Sequence, residues 1–360
     1  MNTLNVNTLK LITGRIDALP LSTVWLLERL AEARGKQELF TRQSPQVLKV
    51  LKEHALIESA VSSNRIEGIE IARDRLKTVL FGRPLLKDRN EEEVRGYRQA
   101  LDRIHQRGAK ISVSLETILG LHRLSHAGSG DAGTFKIRDV DIIERYPDGS
   151  QRVRFKSVSA KRTPGAVKGL VELWNGCLLE RRVPPLVALA AFNLDFLCIH
   201  PFRAGNGRVS RLLLLLQCYH LGLEVGRYIS LERHIEQNKE RYYETLEESS
   251  RGWHEGKHDP WPYVNYLLFI LAGAYREFEE RVGQVKAPRG GKTELIETAV
   301  ASQEGAFTVT NLETACPGVS RDMIRRVLKN LQREGRVECL GRGPGAQWGR
   351  KEGTTHKRGQ

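Results

Sequence analysis

The segment His200-Pro-Phe-Arg-Ala-Gly-Asn-Gly-Arg-Val-Ser-Arg211 lies between two strongly apolar stretches, one ending at Ile199 and one running from about Val209 to Leu221. Both stretches have helical spacing. Pro201 ends the first, because its ring disfavours the α conformation in the residue before it. Gly205 and Gly207 permit a tight loop with exposed backbone N–H groups, and the loop feeds straight into the next helix. Such a junction is an anion site, since free N–H groups and the helix dipole point at the ligand. Arg208 and Arg211 are three apart, which predicts that they share a helical face near that end. Two guanidinium groups there suit a di- or triphosphate, each gripping two oxygens. His200 precedes the loop, and an imidazole can take a proton from an attacking hydroxyl near neutral pH. The chemistry suggested is a hydroxyl attacking a bound phosphate, a reaction that needs mainly positioning and charge neutralisation. Each feature alone is ordinary: a histidine before a turn, two arginines on a solvated face. Their coincidence within one short segment carries the reading.

Outward from this segment the chain reads as helical. Helices are predicted over 21–32, 45–66 (after Ser44, a suitable N-cap), 70–81, 91–107 and 113–124, then over 164–181, 186–199, 236–250 and 260–282. Glu91-Glu92-Glu93 places acid in a first turn, where the dipole favours it. Between these groups the pattern changes. Residues from Asp131 to Glu144 alternate with period two, Tyr146-Pro-Asp-Gly-Ser signals a turn, and Arg152-Val-Arg-Phe-Lys-Ser-Val alternates again. This predicts one β-hairpin at about 137–157, either a substrate-facing flap or a plain connection.

The totals bound what such a chain can be. With 360 residues, two or three domains are expected. A 40% hydrophobic content supplies a sizeable core, and 28% charged residues supply a solvated surface. The net charge of +14 favours polyanionic partners (nucleic acid, nucleotides or acidic proteins) over the alternative of a merely solvated basic surface. Cys177, Cys198, Cys218, Cys316 and Cys339 are odd in number and widely spaced, with no metal-ligand pattern. They read as thiols in a reducing compartment, mostly buried. The first twenty residues lack the pattern of a signal peptide, and the aliphatic run Leu212–Leu216 is far too short to span a bilayer. A cytoplasmic protein with no membrane partner is the expectation.

The His200–Arg211 segment resembles the signature of the Fic family: histidine-proline-phenylalanine, two variable positions, glycine-asparagine-glycine-arginine, and a second arginine three residues on. Every fixed position of that core is present, and the similarity extends over roughly residues 20–280. The resemblance implies a mainly α fold, a Fic helical core with a hairpin flap that docks a target segment as an added strand. It implies a protein adenylyltransferase, moving AMP from ATP to a Ser, Thr or Tyr hydroxyl of a target protein. On that resemblance His200 is the general base and Phe202 anchors the loop. Gly205, Asn206 and Gly207 hold the α- and β-phosphates, and Arg208 and Arg211 hold the β- and γ-phosphates. Tyr242 and Tyr243 are similar to the family's nucleoside-contacting pair, with amphipathic packing as the alternative, and Ser250 lies near the same wall. One position departs from the pattern. The family commonly carries an acid before the first glycine, which helps to hold Mg²⁺; here it is Ala204, and a methyl group cannot ligate a hard cation. Either Mg²⁺ is held by phosphates and water alone, or catalysis is weak, or the chain binds nucleotide without transferring it or uses another donor.

Ser63-Asn-Arg-Ile-Glu67-Gly68 closes a predicted helix running from about 46 to 68. Ser63 and Glu67 share a face, and Gly68 suits the C′ position. By itself Glu67 reads as an exposed acid. Beside the Fic signature, the segment resembles the family's inhibitory motif, Ser or Thr followed four residues later by Glu and then Gly or Asn. That resemblance implies that Glu67 pairs with Arg211 and blocks the productive γ-phosphate pose, so the enzyme is weak at rest.

Gln284 to about 291 is Pro/Gly-rich and basic, and is the expected linker between the core (111–283, preceded by a helical region over 1–110) and a C-terminal domain over 292–350. Lys286–Gln360 carries 14 basic and 8 acidic residues. Its pattern is a helix at 293–301, a short strand at Phe307, a helix at 311–316, a helix from Arg321 to Glu334 capped by Ser320 and ended by Gly335, then strands at 336–340 and 347–348. This resembles a winged helix. Arg321, Arg325, Arg326 and Lys329 on the second helix of the turn, with Arg342 in the wing, are candidate contacts to double-stranded DNA; a protein-binding winged helix is the alternative. Residues 351–360, including Arg358, read as a disordered tail.

Three functions remain open on sequence. The first is an adenylyltransferase whose partner is a protein with an exposed hydroxyl. The second is a weak or inactive nucleotide-binding regulator acting through its winged helix. The third is an adaptor with a relic pocket. A homodimer is the candidate assembly. Ala204 favours the last two functions, and the intact His200 favours the first.

Overall fold

The computed structural model describes residues 7–15, 18–43, 45–82, 86–145, 148–181, 183–283, 291–303, 305–316, 319–341, 343 and 345–351. Ser44, the tip of the hairpin turn at Tyr146-Pro147, most of the linker, Arg342 and the tail with Arg358 lie outside the described residues. The chain divides into two compact units, Met1–Val282 and Gly283–Gln360.

The first unit is the mainly helical fold with one inserted hairpin that the periodicity predicts. Its elements are α1 (Thr8–Arg15), α2 (Leu21–Gln43), α3 (Pro45–Ile66), α4 (Arg73–Phe81), α5 (Arg89–Arg107), α6 (Leu115–Ser125), β1 (Asp141–Arg145), β2 (Gln151–Lys156), α7 (Thr163–Glu180), α8 (Pro185–Ile199), α9 (Asn206–His220), α10 (Leu231–Gln237), α11 (Lys239–Ser250) and α12 (Trp261–Gly283). At the centre, every residue of α8 from Val187 to Ile199 is buried. A helix apolar on all sides can be accommodated only inside a bundle. The helices before residue 111 pack into the same core: Leu48 and Ile66 of α3 and Tyr97 and Leu101 of α5 join Phe192 and Leu213.

Four local outcomes depart from the sequence reading. Helix α1 has no counterpart in that reading, because eight residues are too few to show periodicity. It is held by Asp195 of α8, whose buried carboxylate accepts from the Thr8 and Leu9 amides (2.8 and 2.9 Å) and from Trp253 Nε1 (2.6 Å). The carboxylate thus satisfies the orphan donors of a helix N-terminus. Second, the alternation that starts at Asp131, with a hairpin expected from about 137, becomes strand only at Asp141. Gly133 has φ +80° and donates its N–H to His122 Nδ1 (2.9 Å), while the Lys136 N–H goes to the Pro201 carbonyl (3.0 Å). These amides bond the core and are not free for a neighbouring strand. The hairpin itself is antiparallel, with a register shift between Ile142 and Ile143. Third, the helix expected over 236–250 is broken at Asn238, whose Nδ2 donates to the His234 carbonyl (2.8 Å) at the end of α10. Fourth, α9 starts at Asn206, three residues before the apolar run. The glycine loop and the first helical turn therefore overlap.

The second unit comprises α13 (Gly291–Ala301), β3 (Phe307–Thr308), α14 (Val309–Ala315), α15 (Arg321–Arg333), β4 (Val337–Cys339) and β5 (Gln347–Arg350). Its three strands are antiparallel in the order β3-β5-β4. Thr308 and Asn311 form a capping box on α14. Ser320 caps α15 by accepting from the Met323 amide, and Gly335 follows it at φ +72°. Ile324, Val327, Leu328 and Leu331 bury one face of α15 against Ile296, Phe307, Leu312 and Trp348. Arg321, Arg325, Arg326 and Lys329 are left exposed. The described cysteines are all free, four buried and Cys339 half-buried. Among the described residues no helix is long and apolar enough to cross a membrane.

Candidate active site

The turn between α8 and α9 is built by its own residues. His200 ends α8 in the left-handed region, φ 51° and ψ 61°, with its N–H on the Phe196 carbonyl. Only Arg181 shares a positive φ among the described non-glycine residues. That conformation costs an L-residue on the order of 1–2 kcal/mol, so the surrounding packing must impose it. Phe202 is fully buried and stacks on the His122 ring (centroids 3.7 Å, interplanar angle 5°). Gly205 supplies the N-cap of α9 at φ +79° without a side-chain cap, so the first-turn amides of α9 have no intrahelical acceptor.

Two predicted phosphate ligands are otherwise engaged. The Asn206 side chain accepts from the Phe202 amide (2.9 Å) and donates to the Phe202 carbonyl (2.8 Å), stapling the turn shut. Arg208 and Arg211 both reach the end of α3, at Asn64 and Ser63, but take different acids as partners. Arg208 is buried and points at Glu93 of α5 (Nη1–Oε2 2.7 Å), Asn64 (3.2 Å) and His126 (3.1 Å). Burial opposes ionisation of Glu93, yet His126, Arg208 and Arg89 together hold it down at about 2. Arg208 is thus half of a buried ion pair beneath the loop.

Arg211 turns toward α3. Its Nε donates to Ser63 Oγ (2.8 Å), and its Nη2 donates to the Ser63 carbonyl (2.8 Å) and to Glu67 Oε1 (2.9 Å). Its Nη1 is buried and makes no hydrogen bond among the described residues. Glu67 lies directly over Gly207: a Cβ added there would stand 2.2 Å from Glu67 Oε1 and 3.0 Å from Arg211 Nη1. Glycine is required at 207 by this close approach, not by its φ.

A cavity of about 440 Å³ opens on this arrangement. It is lined by Glu67, His200 and Gly207, by Tyr242, Tyr243 and Ser250 of α11, and by Ile142, Ile143, Arg154 and Phe155 of the hairpin. Of the residues chosen from sequence, Glu67, His200, Gly207, Tyr242, Tyr243 and Ser250 share this space, while Ser63, Gly205, Asn206, Arg208 and Arg211 do not line it. Tyr242 lines the cavity and also packs on Tyr263 and Tyr266 (centroids 6.2 and 5.8 Å). Tyr243 is less buried, and the Arg154 guanidinium sits over its ring at 5.3 Å.

His200 Nδ1 is buried without a hydrogen-bond partner among the described residues. Burial, then the neighbouring Lys136 ammonium, push its imidazole down to about 4. The ring is therefore neutral at physiological pH, the form that can accept a proton. Sequence reading missed Lys136, Arg154 and Glu247. Arg154 and Arg152 both pair with Glu247 (3.3 and 3.1 Å), and Arg154 Nη2 also donates to the Tyr243 carbonyl, tying the hairpin to α11. No local signal marks such partners, because they lie far apart in sequence.

At Ala204 the carbonyl, not the side chain, is engaged: it accepts from His122 Nε2 (3.1 Å). His122 Nδ1 receives the Gly133 N–H, which fixes the proton on Nε2. Among the described residues no group of His, Cys, Asp and Glu side chains could hold a metal ion.

Residues 112–218 match the model of the Fic/DOC family. The Fic/DOC match spans α6, the hairpin, α8 and the His200–Arg211 turn, and stops short of both Glu67 and the α11 tyrosines. A protein adenylyltransferase Fic from Nematostella vectensis is 24% identical over 240 residues, 63% of this chain and 51% of that protein. The chain thus spans about half the length of that relative. Among solved structures, a Fic family protein from Desulfovibrio desulfuricans G20 superposes with a TM-score of 0.61 at 22% identity, over 94% of this chain and 98% of that one. A Fic-domain-containing signaling protein from Bacteroides thetaiotaomicron VPI-5482 gives 0.58 at 20% identity, over 71% and 97%. Fic-1 from C. elegans gives 0.56 at 19% identity, over 72% and 73%. These likenesses establish the Fic fold.

Proposed function

We propose that this chain is a protein adenylyltransferase held at rest by Glu67. The observation that carries the reading is that His200, Gly207 and Glu67, the partner of Arg211, line one cavity with Tyr242, Tyr243 and Ser250. The donor fits as ATP. Arg211 Nη1 makes no hydrogen bond among the described residues and the first turn of α9 has no side-chain cap, and a polyphosphate supplies acceptors for such donors. The base lies between the aromatic side chains of α11 and the hairpin. A target Ser, Thr or Tyr hydroxyl, presented along the hairpin, gives its proton to neutral His200 and attacks the α-phosphorus. The bond to the β-phosphate oxygen breaks, pyrophosphate leaves, and the target carries AMP. Glu67 occupies the space over Gly207 and consumes the Arg211 donor that a γ-phosphate would use.

Mg²⁺ finds no protein carboxylate at position 204, so any metal arrives on the nucleotide phosphates, and the steps above are assigned to side chains alone. Ala204 keeps a second reading alive, a nucleotide-binding regulator without transfer. In either reading the second unit acts as a winged helix whose exposed Arg321, Arg325, Arg326 and Lys329 meet DNA phosphates and bases, and the protein works in the cytoplasm. Intact mass after incubating E67G with ATP and Mg²⁺ decides between the readings. A gain of one AMP supports transfer, and binding of ATP without mass gain supports the regulator.

A further inference from the structure

We propose that Lys136 is a positioning residue for His200: it clamps the two peptide units flanking the imidazole and ties them to the foot of the β1–β2 hairpin. The proposal rests on the reading of His200 as the base.

The geometry is specific. The Lys136 ammonium is buried (5% exposed). It donates to the Ile199 carbonyl (3.2 Å), the residue before His200, and to Ser157 Oγ (2.6 Å), the residue after β2. Its backbone N–H donates to the carbonyl of Pro201 (3.0 Å), the residue after His200. Ser157 in turn donates to the Val140 carbonyl, just before β1. One residue therefore grips positions 199 and 201 and both ends of the hairpin. Between those grips sits His200 in its left-handed conformation, which relaxes unless both neighbours are held.

A hydrophobic side chain of similar length would fill the same space without desolvating a charge, and a buried ammonium is costly unless it does something a methyl cannot. Burial brings the Lys136 amine down to about 8, and Asp139 and Asp141 at the hairpin foot partly oppose that fall. The charge it retains acts on the imidazole, favouring the neutral ring; Glu67 acts in the opposite sense. Lys136 thus sets both the direction and the protonation of the base, and it links a hairpin displaced by a target segment to the atom that deprotonates the target.

The test uses the full chain in the E67G background, with K136M, K136Q and K136R. The first readout is the titration of the His200 ring by NMR of histidine-labelled protein, assigned by the signal that disappears in H200A; it requires neither nucleotide nor transfer. In K136M the ring should titrate about one pH unit higher than in the parent, because a neighbouring cation has gone, and K136R should restore the parent value. If K136M does not fold, K136Q carries the same expectation, since it removes the charge and keeps a donor. In the second readout K136M should slow AMP incorporation by about tenfold or more while its Kd for MgATP stays near that of the parent. An unchanged His200 titration in a folded K136M or K136Q overturns the proposal. Failure of the E67G parent to incorporate AMP would instead sink the transferase reading, and the NMR result would still decide the role of Lys136.

Discussion

Arg211 and Glu67 stand 144 positions apart in sequence and 2.9 Å apart in space. The pair is asymmetric: the guanidinium is buried and the carboxylate is 28% exposed. Burial opposes the charge on Arg211, but Glu67 and its neighbours raise its pKa further above the ordinary range. An acid at the rim, over a buried cation, can be displaced without unfolding the core.

Replacing Glu67 with Gly should therefore leave the fold intact and raise labelling by radiolabelled ATP at least tenfold, equivalent to about 1.4 kcal/mol of competing interaction. Autoradiography of purified protein measures this. No rise would remove Glu67 from its inhibitory role.

His200→Ala should lower transfer by about 10²–10⁴-fold and leave ATP binding in place. The pH profile of transfer carries a sign. The neutral ring is the active form and its pKa is about 4, so the rate should be level through neutrality and fall only as pH drops toward 4. A rate that instead collapses between pH 7 and 6 would show a base with an ordinary histidine pKa, contrary to the burial described.

Arg208→Met should act on stability before chemistry. Removing it leaves Glu93 buried and less paired, at a cost of roughly 3 kcal/mol in chemical denaturation, while the KM for ATP should change little. Because the Glu93 pKa is depressed to about 2, its contribution is complete above about pH 4.5 and is lost as pH falls toward 2. A large KM effect with unchanged stability would return Arg208 to the phosphates.

In the second unit, changing Arg325, Arg326 and Lys329 to Ala in the full chain should weaken retention of duplex DNA and lower the log–log salt slope by about 1 for each phosphate no longer neutralised. All three are exposed, so the thermal transition should not move. Unchanged DNA retention would favour a protein partner for α15.

Much of this is readable in the linear chain because its cause is local. The bounds of α3, the left-handed Gly68 after it, the Ser320 cap and the amphipathic α15 follow from neighbours within one or two turns. The candidate site is also legible, since His200, Gly205, Gly207 and Arg211 fall within a single turn and the start of its helix. The alternation that starts at Asp131 misleads for the opposite reason: the amides that it assigns to a sheet are taken by His122 and Pro201.

The helical class, the hairpin and the two-unit organisation were readable from the chain alone, because periodicity, capping and short-range sterics act between near neighbours. Long-range packing set which partners the candidate residues meet. It sent Arg208 to Glu93 and Arg211 to Glu67, turned the Asn206 amide onto Phe202, and set Lys136 against His200. Helical spacing states where a side chain leaves the backbone. Which charge it meets in a buried space depends on how distant segments pack, and burial makes that meeting strong enough to override the local expectation.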